Sequence, residues 1–97
     1  MANFYAIRKI ADAPISVAAA STLVLADNPH RKYALIINTS NTDVWLRLGS
    51  TAVVGQGIFV ARGGFAYEID IKNLFTGVIN AIHGGAGLKV LSVLEMS

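Results

Sequence analysis

The sequence of 97 residues predicts an all-β protein, an antiparallel β-sandwich or jelly-roll-like single domain. Short runs of alternating apolar residues recur at intervals of roughly ten residues with turn-forming residues between them, which is the pattern of small sandwiches. Apolar residues make up 54% of the chain and charged residues 14%, whereas ordinary soluble domains are about a quarter charged. We therefore expect one domain over residues 1–97 that packs against copies of itself or against a larger partner.

The clearest strand pattern lies between Tyr33 and Gly49. Residues 33–38 and 44–48 each alternate with period two, and a polar connection over 39–43 joins them. Its Asn, Thr, Ser and Asp side chains suit tight turns, so the stretch predicts an antiparallel hairpin. The first run is apolar on both faces up to Asn38, which is typical of a central strand that is covered on two sides.

Further strands are expected along the whole chain. They are predicted around Ile15 and Val17 and over residues 23–25, 58–61, 66–71, 78–82 and 88–94. Residues 72–77, KNLFTG, suit a single helical or 3₁₀ turn that Gly77 ends, and residues 95–97 are expected to fray. Residues 1–13 suit either an edge strand or an extended N-terminal arm laid on a neighbouring surface.

No set of side chains in the sequence proposes a reaction. Without cysteine there are no thiolate metal sites and no cysteine nucleophile, and His30 and His83 each lack a second ligand at metal spacing. Glu68 and Asp70 share one face of an alternating strand, where solvation is a simpler explanation than acid–base catalysis. We expect no enzymatic activity, no metal and no cofactor.

The basic residues do not form a nucleic-acid site. The net charge is +2, and the densest basic stretch, His30 to Lys32, is expected to be a solvated loop. The glycine-rich stretches 55–57 and 84–87 precede apolar strand-like residues and not helices, so they predict turns and not phosphate loops. No long apolar run is present, so we expect neither a membrane span nor an ordinary export signal.

The order of motifs resembles a group of small bacteriophage virion proteins. The residues that carry the resemblance are LVLADNPHRKYALIINTSNTDVWLRLG, AVVGQGIFVARGGFAYEID, NLFTGVINAI and the terminal LKVLSV, which together cover most of the chain from about Thr22. The resemblance implies a β-sandwich module that decorates, cements or adapts the head or tail of a tailed phage. It implies location in the virion and implies no catalytic residues.

Residues and resemblance together predict a structural virion protein that binds the capsid shell as a decoration or cement protein. The expected partners are the major capsid protein or other virion subunits, and the expected state is a homo-oligomer, with a trimer by analogy. Large exposed aromatic or apolar side chains would make the contacts. The candidates are Phe4, Tyr5 and Ile7 in the arm and Trp45 and Phe65 as anchors, although an ordinary core position is an equal alternative for the last two.

Two alternatives come from other classes of protein. A tail or fibre-associated adaptor or carbohydrate-binding module would also be a small β-sandwich, and it would use Trp45 or Tyr67 as a stacking platform beside Asn and Asp side chains. Loss of specific sugar binding on Trp45→Ala would distinguish that alternative. An enzyme is the third possibility, for which the sequence supplies no argument.

Overall fold

The computed structural model describes residues 6–97, which form eight β-strands. The strands are β1 (Ile10–Val17), β2 (Thr22–Leu25), β3 (Tyr33–Asn38), β4 (Val44–Leu48), β5 (Ile58–Val60), β6 (Ala66–Ile69), β7 (Ile79–His83) and β8 (Lys89–Met96). No helix occurs in this part of the chain. Paired strands run antiparallel throughout, as the alternating sequence runs predict.

The strands form two four-stranded sheets that pack face to face. Sheet A has the order β1-β8-β3-β6 and sheet B the order β2-β7-β4-β5. The chain crosses from one sheet to the other at every connection except that between β4 and β5. This winding of eight strands into two antiparallel sheets is a jelly roll, so the predicted fold class is confirmed.

Alternate residues of each strand point into the space between the sheets and form the core. In sheet A the inward residues include Ile36, Ile69 and Leu91, and in sheet B they include Leu46 and Ile79, all of them fully buried. Each such side chain stabilises the fold by about 1.5–3 kcal/mol relative to an exposed one. Because inward and outward residues alternate, the same strands present a second set of side chains on the outside of the sandwich.

The predicted hairpin between β3 and β4 is wrong, because the two strands belong to different sheets. The buried Asn38 fixes the crossing, since its Nδ2 donates to the carbonyls of Thr42 and Val60, both at 2.9 Å, while its Oδ1 accepts from Ser40 Oγ at 2.6 Å. The polar residues of 39–43 therefore make a corner between sheets. β3 is central in sheet A as expected, but only its inner face is covered.

Arg31 was expected in a solvated loop and is instead buried, with 1% of its surface exposed. Its Nε donates to Glu95 Oε2 at 2.7 Å, Nη1 to the carbonyls of Phe75 and Gly77 at 2.9 and 3.0 Å, and Nη2 to the carbonyl of Ala26 at 2.7 Å. One guanidinium thus joins the β2–β3 loop, the β6–β7 loop and strand β8. A buried charge is tolerated here because it is paired and hydrogen-bonded.

Strands β1 and β8 extend further toward the chain ends than the sequence suggests. Strand β8 continues to Met96 and does not fray at residue 95, and Ile10 to Ala13 pair with its last four residues. Residues 10–13 therefore belong to the sheet, which shortens the predicted 1–13 arm. The amides of Arg8 and Lys9 both donate to the carbonyl of Ser97 at 2.7 Å, which ties the segment before β1 to the C-terminus.

Strand β6 ends at Ile69, two residues before the alternating pattern does. Asp70 Oδ1 accepts from the amide of Lys72 at 2.9 Å and Asn73 Oδ1 accepts from the amide of Asp70 at 2.8 Å, which turns the chain. Ile71 is therefore exposed and does not continue the inner face. The predicted helical turn over 72–77 is absent for the same reason, since side-chain hydrogen bonds at 70–73 compete with helical ones.

Candidate functional site

The outer face of sheet A is a continuous apolar surface. Outward residues of neighbouring strands lie side by side in rows, for example Asp12, Leu94, Leu35 and Glu68 across β1, β8, β3 and β6. The apolar members are Ile10, Pro14, Leu35, Ile37, Ala66, Val90, Leu94 and Met96. Ile10 is 61% exposed and Val90 41%, so the surface is available to a partner.

A shallow groove of about 420 Å³ runs across this face. It is lined only by residues of β1, β3 and β8, with Leu35, Ile37 and Leu94 as its apolar floor and Asp12 and Ser92 as polar members. With strands about 4.8 Å apart and about 3.3 Å per residue, four strands of up to eight residues offer a face of roughly 20 by 25 Å. That size approaches what one partner contributes to a stable protein interface.

The charged residues at outward strand positions of sheet A are both acidic. They are Asp12 and Glu68, and no lysine or arginine occupies an outward position in β1, β3, β6 or β8, since Lys89 pairs with the inward Val17. Tyr33 Oη donates to Glu68 Oε2 at 2.6 Å, and this hydrogen bond raises the pKa of the Tyr33 phenol above its usual value. A partner for this face would be apolar and would carry basic groups.

The outer face of sheet B is partly covered by the chain itself. Loop 49–57 lies over its β2–β7 half, where the carbonyl of Ser50 accepts from Asn80 Nδ2 at 2.8 Å and the amide of Ala52 donates to Ser21 Oγ at 2.9 Å. Ala52 is buried as a result. The half formed by β4 and β5 stays open and presents Trp45 and Phe59.

Trp45 forms one wall of a second, smaller pocket at the edge of sheet B. The pocket has a volume of about 280 Å³ and is also lined by Thr42, Asp43, Arg62, Gly84 and Gly85. The ring of Trp45 packs against Phe59 with ring centroids 5.4 Å apart and an angle of 58° between the ring planes. Such a tilted aromatic pair holds the indole in a defined orientation.

Hydrogen bonds fix the polar rim of the Trp45 pocket. Asp43 Oδ1 accepts from the amide of Arg62 at 3.0 Å, and the Arg62 Nε lies 3.6 Å from the same oxygen. On the other side, the buried His83 accepts at Nδ1 from the amide of Gly85 at 3.1 Å, and its Nε2 lies 2.8 Å from the carbonyl of Gly87. His83 therefore carries its proton on Nε2 and serves to hold the β7–β8 turn.

The residues predicted as contacts are not brought together in one site. Phe4 and Tyr5 lie outside the described residues. Ile7 is 45% exposed beside the chain termini, and Phe65 is 66% exposed at the opposite end of sheet A. Trp45 is an outward residue of sheet B, so neither Trp45 nor Phe65 is a core residue.

The groove on sheet A was missed as a site by sequence reasoning. Residues 33–38 are apolar on both faces of the strand, and this pattern predicts a strand that other elements pack against on both faces. An exposed apolar face gives the same pattern. The alternating polar residues of β1 and β8 gave no sign that Leu94 would lie beside Leu35. That neighbourhood depends on the pairing of strands that are distant in sequence.

A metal-ligating cluster is not seen in residues 6–97. No three His, Cys, Asp or Glu residues cluster there as a metal would require, and no helix in that part of the chain is long and apolar enough to cross a bilayer. Glu68 faces solvent beside Tyr33, while Asp70 lies in the turn that follows β6. The two carboxylates share no pocket.

The architecture of residues 6–97 defines a class: a jelly-roll sandwich with an open apolar sheet face and a small pocket that contains a tryptophan. Comparison of the chain with protein-family models, with curated proteins and with solved structures gave no match.

Proposed function

We propose that the chain is a structural virion protein of a tailed bacteriophage, which binds the capsid shell as a decoration or cement protein. The observation that carries the proposal is the open apolar outer face of sheet A, with its groove over Leu35 and Leu94. A surface of this kind on a small, sparsely charged domain is the mark of a protein-binding site. The resemblance of the sequence to small phage virion proteins supplies the setting, and jelly rolls are a frequent fold among capsid proteins.

The carboxylates on the proposed docking face favour a partner with basic side chains over a second copy of the chain. A two-fold contact between two copies through this face would place the Asp12 and Glu68 carboxylates of both copies in one apolar interface, which is electrostatically unfavourable. A shell subunit that presents lysine or arginine beside apolar side chains would pair with them instead. Homo-oligomers would then form through other surfaces, such as the N-terminal segment that contains Phe4, Tyr5 and Ile7.

Cosedimentation with capsid shells that lack the protein tests the proposal. The wild-type chain is compared with Leu35→Glu, on the outer face of sheet A, and with Leu23→Glu, a matched change at an exposed outward position of sheet B. We expect Leu35→Glu to lose at least about tenfold in affinity, because a charge enters the centre of an apolar interface, and Leu23→Glu to bind as the wild type does. Absence of the protein from purified virions, or equal binding of Leu35→Glu, would contradict the proposal.

A further inference from the structure

We infer that the Trp45 pocket is a binding site for a neutral pyranose sugar, an activity independent of shell binding through sheet A. The pocket combines an aromatic wall with a carboxylate and a guanidinium at its rim. Small-ligand sites have this composition, in which an apolar surface gives contact area and a few polar groups set the orientation.

The aromatic wall is a suitable platform for a sugar ring. Trp45 lies between Ile82 of β7 and Phe59 of β5 in one cross-strand row, so both neighbours restrict the indole laterally. Phe59 packs against the indole at a tilt, and Trp45 is the aromatic member of the pocket lining. The apolar C–H face of a pyranose matches a flat indole surface in size and polarity.

Another part of the pocket lining is the glycine backbone of the turn between β7 and β8. Gly84 and Gly85 line the pocket, and the His83 hydrogen bond to the Gly85 amide holds their backbone in place. A Cβ at Gly85 would lie 3.4 Å from Thr42 Cγ2 and one at Gly84 would lie 3.6 Å from Val54 Cγ1, which are ordinary contact distances. The pocket is thus bordered here by backbone that His83 holds in place.

The polar rim selects hydroxyl groups and disfavours anions. Asp43 accepts the Arg62 amide with Oδ1, and within residues 6–97 no hydrogen bond occupies its second oxygen. This oxygen can accept from a sugar hydroxyl, and the exposed Arg62 guanidinium can donate to a neighbouring one. The Arg62 charge is offset by the Asp43 carboxylate 3.6 Å away, so the rim offers no net positive charge to an acidic sugar and the ligand class is neutral.

Titration of the chain with single sugars tests the inference directly, because Trp45 is the only tryptophan and its emission reports on the pocket. The probes are glucose, galactose, mannose and N-acetylglucosamine, with glucuronic acid as the anionic comparison. For a ligand of about a dozen heavy atoms at about −0.3 kcal/mol per atom, dissociation constants on the order of millimolar are expected. We expect at least one neutral sugar to change the emission saturably and glucuronic acid to bind more weakly.

Variants of the rim separate a built site from a general effect on the indole. Asp43→Asn keeps the Oδ1 acceptor for the Arg62 amide, so the loop is preserved, while a charged hydrogen bond to the ligand is lost. We expect about tenfold weaker binding for Asp43→Asn and loss of binding for Trp45→Ala, measured by calorimetry. Phe65→Ala, an exposed aromatic outside the pocket lining, should bind as the wild type does.

The inference is overturned by any of three results. The first is the absence of a saturable response to any neutral sugar at concentrations up to about ten times the millimolar range expected for ligands of this size. The second is unchanged sugar affinity in both Asp43→Asn and Trp45→Ala. The third is tighter binding of glucuronic acid than of any neutral sugar. Each result leaves the shell-binding proposal untouched, because that proposal rests on the other sheet.

Discussion

Replacement of Arg31 by methionine should remove a large part of the stability of the fold. The guanidinium makes four hydrogen bonds, one to Glu95 and three to backbone carbonyls, and its side chain is fully buried. Methionine fills a similar volume but leaves these acceptors without a donor. Breaking a buried ion pair by removing one partner costs about 3–5 kcal/mol, which is a third or more of the stability of a typical small domain.

Equilibrium urea unfolding of Arg31→Met measures this cost, and three further variants assign its source. Glu95→Gln should cost less than Arg31→Met, because the three carbonyls still accept from the guanidinium and the Gln side-chain oxygen can still accept from Nε, so the buried charge keeps its hydrogen bonds. Arg31→Lys should also destabilise, since one ammonium cannot replace donors that point in several directions. Arg62→Met is the control, and it should change stability by about 0.5 kcal/mol or less because its ion pair with Asp43 is exposed.

The reasoning about Arg31 would be refuted by a small effect. If the unfolding free energy of Arg31→Met is within about 1 kcal/mol of the wild-type value, with an unchanged dependence on urea, the two loops and strand β8 are not held together by the guanidinium. If Glu95→Gln proves as costly as Arg31→Met, the ion pair and not the set of carbonyl contacts carries the stability.

Three further predictions concern the backbone, the pH dependence and the N-terminal segment. Gly57→Ala should destabilise the fold by at least about 2 kcal/mol, because φ at Gly57 is +92° and a Cβ would overlap the carbonyl oxygen of Leu46 in β4. Gly63→Ala, where φ is +83° and the space is open, should cost only about 1 kcal/mol. Thermal unfolding of the two variants compares these costs. The hydrogen bond to Glu68 raises the pKa of Tyr33. Its contribution to the free energy of unfolding is therefore complete below about pH 10 and is lost as the pH rises through the pKa of Tyr33 in the folded state. Tyr33→Phe should therefore lose less unfolding free energy than the wild type between about pH 9 and about pH 11, as measured by urea unfolding at both pH values. An equal loss in the two proteins would argue against the contact. Deletion of residues 2–7 should weaken shell binding or self-association in light scattering while the urea midpoint stays unchanged, because β1 begins at Ile10; a lower midpoint would show that the segment belongs to the fold.

The strands were predictable from the sequence because their alternation is a local property. The jelly-roll order was foreseen only as a class, since pairing of β1 with β8 or β3 with β6 joins residues far apart in the chain. The hairpin error at 39–43 has the same origin. Turn-forming side chains such as Asn38 and Ser40 bond backbone equally well in a hairpin and in a corner between sheets.

The candidate site was only partly predictable for a related reason. Trp45 stands out in any reading of the sequence as the one tryptophan, and the structure places it on a pocket. Arg31 resembles a surface residue until strand β8 brings Glu95 to it from 64 positions away. The sheet A groove likewise exists only once Leu35 and Leu94 are neighbours.

A cryo-EM map of a particle that carries the protein tests the central claim most directly, because it shows which face of the jelly roll is covered. The account predicts shell density within about 4 Å of Leu35, Leu94 and Ile10, with basic side chains of the shell near Asp12. A map in which the sheet A groove faces solvent while other surfaces hold the shell would contradict it.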